Sequence, residues 1–183
     1  MTAPTPAPTP APAPALDRDA LARARAAAAA VPDPELPMVT VADLGILREV
    51  GADGPRVVVW LTPTYSGCPA VREIQHDVAA RLADAGFPGA DVRLSLSPPW
   101  SSAWITDAGR AKLAAAGIAP PGATPRRAPG PIPLTLSPRL PALACPACGS
   151  ADTERTAAFS GTACKDLYRC LACAEPFEHI KEI

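Results

Sequence analysis

Leu61–Ile74 reads LTPTYSGCPAVREI and joins two different hydrophobic periods. Upstream, Val57, Val59 and Leu61 alternate with Val58, Trp60 and Thr62. Both faces of that run are apolar, as in a central strand or one covered on both sides. Downstream, Val71, Ile74, Val78 and Leu82 recur on one face of a 3.6-residue period, the pattern of a helix laid on a core. Cys68-Pro69 falls at the switch. Proline suits the first position of a helix, where its missing N–H would be unpaired anyway, so Cys68 is expected at or next to the N-cap. A thiol there sees the positive end of the helix dipole and free backbone N–H groups. That lowers its pKa and makes it a nucleophile or a metal ligand. The other reading of a free cysteine is a small buried apolar residue.

The flanks extend this unit. A helix is expected from Asp17 to about Ala30, built of strong helix formers with Leu21 as its apolar anchor and ended by Pro32 and Pro34. A strand follows near Ile46–Val50, and Gly51-Ala52-Asp53-Gly54 supplies a hairpin turn. After the central helix, closed by Gly86, Asp91–Ser97 alternates with Val92, Leu94 and Leu96 inward. Thr106 is placed to cap a last helix that closes at Gly117. The order is helix, strand, hairpin, strand, helix, strand, helix. It predicts an α+β domain over 16–118, a two-layer α/β sandwich with helices covering a small mixed sheet.

Composition sets the boundaries. The chain carries 25 prolines in 183 residues, too many for one compact domain. They concentrate in residues 1–15, a semi-extended Pro/Ala tail, and in 119–143, a Pro-rich linker. A formal net charge of −1 gives no general electrostatic reason to bind nucleic acid or an anionic membrane. No apolar run approaches the roughly 20 residues that span a bilayer. The first residues lack the basic and apolar regions of a secretory signal, so the cytoplasm is the expected compartment. There, paired cysteines bind metal or do redox chemistry more often than they form structural disulfides.

Residues 144–183 are too few to fold by burial alone. Cys145-Pro146-Ala147-Cys148 and Cys170-Leu171-Ala172-Cys173 supply the staple, since two CxxC pairs at this spacing mark a four-cysteine zinc ribbon. Gly149 permits the positive φ that such turns favour. Zinc is the default ion, and a rubredoxin-like iron site would use the same four ligands. Cys164 is expected to be a non-ligand, because the two pairs already saturate four-coordination. His179 reads as an exposed histidine on a terminal strand. The ribbon's basic residues, Arg155, Lys165, Arg169 and Lys181, are outnumbered by Asp152, Glu154, Asp166, Glu175, Glu178 and Glu182, which disfavours phosphate contact. The carboxylates Asp33, Glu35 and Asp43 cluster around prolines, where loop hydrogen bonds and capping compete with acid–base or ligand roles. His76 lies off the apolar stripe, so no Cys-His catalytic pair is apparent.

Three stretches, DPELPMVTVADLGI (Asp33–Ile46), TPTYSGCPA (Thr62–Ala70) and SPPWSSAWIT (Ser97–Thr106), resemble the domain of SufT-like iron–sulfur assembly factors. Joined to CPACGS…FSGTACKDLYRCLACAEPFEHIK, they resemble the PaaD-like accessory subunits of the phenylacetyl-CoA epoxidase (ring-oxygenase) complex. The resemblance implies an accessory role in aerobic phenylacetate degradation and no independent catalysis. It maps the domain's characteristic cysteine onto Cys68 and its acidic loop onto Asp33, Glu35 and Asp43. The motif around them includes Thr62, Thr106, and Trp100 or Trp104. The expected cofactors are a structural zinc and a transient iron or Fe–S fragment at Cys68. One thiol cannot hold a cluster alone, so a homodimer or a client is expected to complete the site. The expected partners are the oxygenase or reductase subunits. An adaptor that transfers no metal and a thiol-dependent redox enzyme are the alternatives.

Overall fold

The structure, a computed structural model, describes residues 16–122 and 143–182. The expected tail, and residues 123–142 of the expected linker, lie outside the described residues; Leu143, expected to end the linker, is buried in the ribbon's core.

Helix α1 (Arg18–Ala29) starts where Asp17 accepts the N–H of Ala20 at 2.6 Å. Its buried face is Ala20, Ala24 and Ala28, while Leu21 is only half-buried. Alanines at this spacing let the helix lie close to its neighbours, so small side chains replace the expected leucine anchor. Strands β1 (Leu47–Asp53) and β2 (Arg56–Leu61) form an antiparallel hairpin. The turn sits at Gly54-Pro55, later than expected, because Gly51, Ala52 and Asp53 still pair with Val58, Val57 and Arg56. Helix α2 (Val71–Asp84) then crosses over to β3 (Asp91–Leu94), which pairs parallel with β2. The sheet is therefore mixed, ordered β1-β2-β3, with β2 in the centre, as its two apolar faces require.

Strand β3 departs from its expected pattern. Val92 is half-buried, but Leu94 and Leu96 are 42% and 60% exposed. Period-two burial holds only while a strand continues. Here pairing stops after Leu94, the Ser95 hydroxyl turns to the Ser97 carbonyl, and Pro98-Pro99 offers no donors. A 3-10 turn (Ser102–Trp104) leads to α3 (Asp107–Ala115).

The ribbon does not hang free. Strand β4 (Ile118–Ala119) pairs parallel with β7 (Pro176–Ile180), which pairs with β6 (Lys165–Cys170), which pairs with β5 (Thr153–Ala157). Ile118 and Ile180 both join the main core, so the second sheet is stitched to the first domain. The Glu182 carboxylate also accepts the Gly122 N–H at 3.0 Å. Residues 119–122, expected to begin the linker, thus belong to the junction. No helix among the described residues is long and apolar enough to cross a membrane.

Candidate metal sites

The four ribbon cysteines converge. The sulfurs of Cys145, Cys148, Cys170 and Cys173 all lie within 4.8 Å of one another. Two edges of the group are Cys145–Cys173 at 3.8 Å and Cys148–Cys170 at 3.6 Å. A tetrahedron with metal–sulfur bonds of about 2.3 Å has edges of ~3.8 Å, so the quartet fits a zinc-sized ion. Each pair sits on a matching turn. Cys145 accepts the Gly149 N–H at 2.8 Å through its carbonyl, and Gly149 has φ +75°. At the equivalent place after Cys173 stands Ala174, with φ +64°. The backbone N–H groups of Cys173 and Ala172 help bring the Cys170 thiol down to about 7. The Glu175 N–H pulls Cys173 in the same direction, but the crowding thiols of Cys148 and Cys170 push it up to about 12. Four sulfurs this close cannot all ionise without a cation between them.

A second place gathers sulfur and carboxylate. Cys68 lines a cavity with Asp33, Glu35, Trp100 and, from the ribbon, Cys164 and Ile180. About 30 Å³ of it admits the centre of a water-sized sphere. The remaining wall is mainly apolar, including Leu36, Leu44, Ile46 and Ile74. The N-cap of α2 is Ala70, so Cys68 lies in the loop upstream of it. Its N–H is donated to the Tyr65 carbonyl at 3.2 Å. Burial pushes its thiol above the ordinary value, the Ala70 N–H pulls it back, and charge on Glu35, Cys164 and Asp33 pushes it further up. The expected activated thiol is therefore corrected: half-burial beside carboxylates outweighs the helix end. Asp33 is 6% exposed, and one of its oxygens accepts the N–H groups of Glu35 and Leu36, both at 2.9 Å. Burial raises its pKa despite those two bonds and nearby Lys165. Glu35 is raised by burial and then by the charge of Asp33.

The other expected residues fall elsewhere. Asp43 and Thr106 meet at the start of α3, away from the cavity. Thr106 donates its N–H to the Asp43 carbonyl at 2.9 Å, and its hydroxyl accepts the Gly109 N–H at 3.0 Å. The Asp43 carboxylate takes the Thr40 N–H at 2.9 Å and pairs with Lys112 at 2.6 Å. Burial works against its charge, but those bonds win and lower its pKa. A Cβ on Gly109 would stand 2.7 Å from the Asp43 carbonyl oxygen, so α3 can approach this closely only at glycine. Thr62 is buried at the end of β2, donating its N–H to Ile46, and lines neighbouring clefts but not the one holding Cys68. Of the two tryptophans, Trp100 lines the cavity and donates its Nε1–H to the Leu44 carbonyl at 2.8 Å. Trp104 instead lies under the Arg48 guanidinium, 3.5 Å from its ring centre.

His179 is 2% exposed, which overturns the expected surface histidine. Strand β7 runs between β4 and β6, so it is interior to its sheet. His179 Nδ1 is 2.8 Å from Asp166, while Nε2 has no hydrogen-bond partner among the described residues. His76 is exposed on α2. Sequence reading placed Cys164 outside the quartet but missed its position opposite Cys68. No local pattern signals a contact between loops so far apart in the chain.

Both parts of the chain have relatives. Residues 21–96 match the family described as iron-sulfur cluster assembly protein, and residues 131–181 match the PaaD zinc beta ribbon domain. A protein of Escherichia coli K12, provisionally named as one of the subunits of 1,2-phenylacetyl-CoA epoxidase, is 39% identical over 150 residues, covering 82% of this chain and 86% of the relative. Among solved structures, the DUF59 domain of unknown function from Bacillus anthracis is 30% identical, with TM-score 0.47, over 51% of this chain and 90% of that one. A Mycobacterium tuberculosis protein associated with Fe–S complex assembly and repair is 31% identical, with TM-score 0.30, over 52% of this chain and 83% of that one.

Proposed function

Because the chain belongs to the PaaD-like family of phenylacetyl-CoA epoxidase subunits, we propose that it is an accessory subunit of such an epoxidase. In this reading it is cytoplasmic, performs no catalysis of its own, and helps assemble an iron or iron–sulfur centre on an oxygenase or reductase subunit. One observation carries the proposal: a thiol flanked by carboxylates lines a cavity, apart from a cysteine quartet that is already complete. The match to an iron–sulfur assembly family over the segment that holds Cys68 supports the same reading.

The division of labour follows from the chemistry. The quartet closes around its ion and keeps the ribbon folded, since binding free energy there is also folding free energy. Cys68, Asp33 and Glu35 offer mixed soft and hard donors that suit a passing iron ion. A thiol enzyme is the weaker reading, because burial keeps Cys68 protonated near neutral pH.

The test is to produce Cys68→Ser together with the epoxidase subunits and assay iron in each purified partner. The partner's iron should fall while the ribbon's zinc stays at one per chain. Fully metallated partners beside this variant would overturn the maturation role and leave an adaptor.

A further inference from the structure

We propose that Cys164, carried by the ribbon, is the second sulfur ligand of the Cys68 site, so that one chain holds a single soft divalent ion across the junction of its two units. The inference rests on the reading of Cys68 as a metal-handling thiol and adds a donor that reading lacks. A lone thiol would otherwise need a second copy or a client.

Four observations carry it. Cys68 and Cys164 come from opposite sides of the junction and line one cavity. Cys164 is 8% exposed and held by its backbone, its carbonyl accepting the Lys181 N–H at 3.0 Å. Its sulfur lies 3.1 Å from the Thr162 hydroxyl, a donor suited to steadying a metal-bound thiolate. Asp33 is buried at the same wall, and its second oxygen accepts no hydrogen bond among the described residues. The nearby ammonium of Lys165 is matched by Glu178 at 2.7 Å, so it does not leave the cavity positive.

Size narrows the guest. About 30 Å³ of the cavity admits the centre of a water-sized sphere, which suits one ion or one to two waters. Among the described residues only the quartet has its donor atoms all within 4.8 Å, so these donors must draw together when the ion enters. Binding a divalent ion here releases two thiol protons to solvent and forms two metal–sulfur bonds. No electron is transferred.

Cobalt(II) is the probe, added without oxygen to the full chain whose quartet already holds zinc. Zinc outcompetes cobalt at a given site, so the quartet stays silent. Wild type should take up one cobalt with a thiolate-to-metal charge-transfer band. Cys68→Ser and Cys164→Ser should each about halve that band and weaken binding by roughly tenfold or more. Against misfolding of a variant, the wild type gives its own answer: cobalt should protect both Cys68 and Cys164 from iodoacetamide, read by peptide mass. Wild-type binding by Cys164→Ser, or protection of Cys68 alone, overturns the second ligand and leaves the Cys68 reading standing. No cobalt uptake by the wild type, or a Cys68–Cys164 disulfide formed instead, overturns the site. Partner metallation, measured separately, then judges the proposed function.

Discussion

The chain keeps its sulfur in two unlike settings. In the ribbon, four thiols stand in a tetrahedron's geometry, with edges of 3.6 and 3.8 Å. At the junction, two thiols and two carboxylates surround a space without closing on it. Backbone N–H groups draw Cys170 toward the thiolate, while burial and nearby negative charge keep Cys68 protonated. In the proposed reading, an ion is retained where donors are gathered in advance and exchanged where they must first be brought together.

The largest effect belongs to the gathered site. Cys170→Ser should remove the ribbon's ion, whose binding in zinc-finger peptides is worth about 10–16 kcal/mol. Because Ile180 is part of the main core, loss of the ion should also lower the melting temperature of the first domain. Elemental analysis and circular dichroism would check this, and retained zinc with an unchanged melt would erase the contrast.

The next effect tests the open site. Burial raises the Cys68 pKa, so near pH 7 the thiol is neutral and its reaction with iodoacetamide should be slower than that of an unstructured cysteine peptide. The rate should climb only as pH passes above the ordinary thiol range. Measured with zinc in the quartet, a fast neutral-pH reaction at Cys68 would instead mark an activated nucleophile.

The smallest effect lies inside the ribbon, where the two turns differ by one methyl group. Gly149 and Ala174 share a left-handed backbone, at φ +75° and +64°. That conformation costs an L-residue about 1–2 kcal/mol, partly offset by glycine's freer unfolded chain. Ala174→Gly should therefore strengthen zinc retention by about 0.5 kcal/mol, read by competition with a chelator.

Much of this was legible in the sequence. The two CxxC pairs implied the quartet, and the doubly apolar run Val57–Leu61 implied the central strand, because both signals are local. Leu94, still paired but on the edge strand, and Leu96, beyond the pairing, misled because alternation reports neither a strand's place in the sheet nor where its pairing stops. Asp43 and Thr106 carried the family pattern, yet they pin α3 to the preceding loop. His179 and Cys164 were illegible for one reason: their surroundings are set by how the ribbon docks, which no window of neighbouring residues encodes.

The stitching of Ile118 and Ile180 into one core also has a kinetic consequence. The cavity's walls come from stretches near residues 33, 68, 100, 164 and 180, so their meeting closes long loops. Contacts of such long sequence separation lower the folding rate. Cys164 and Ile180 of the ribbon wall the cavity that holds Cys68, so a change that loosens the ribbon's docking should expose Cys68 and its carboxylates to solvent.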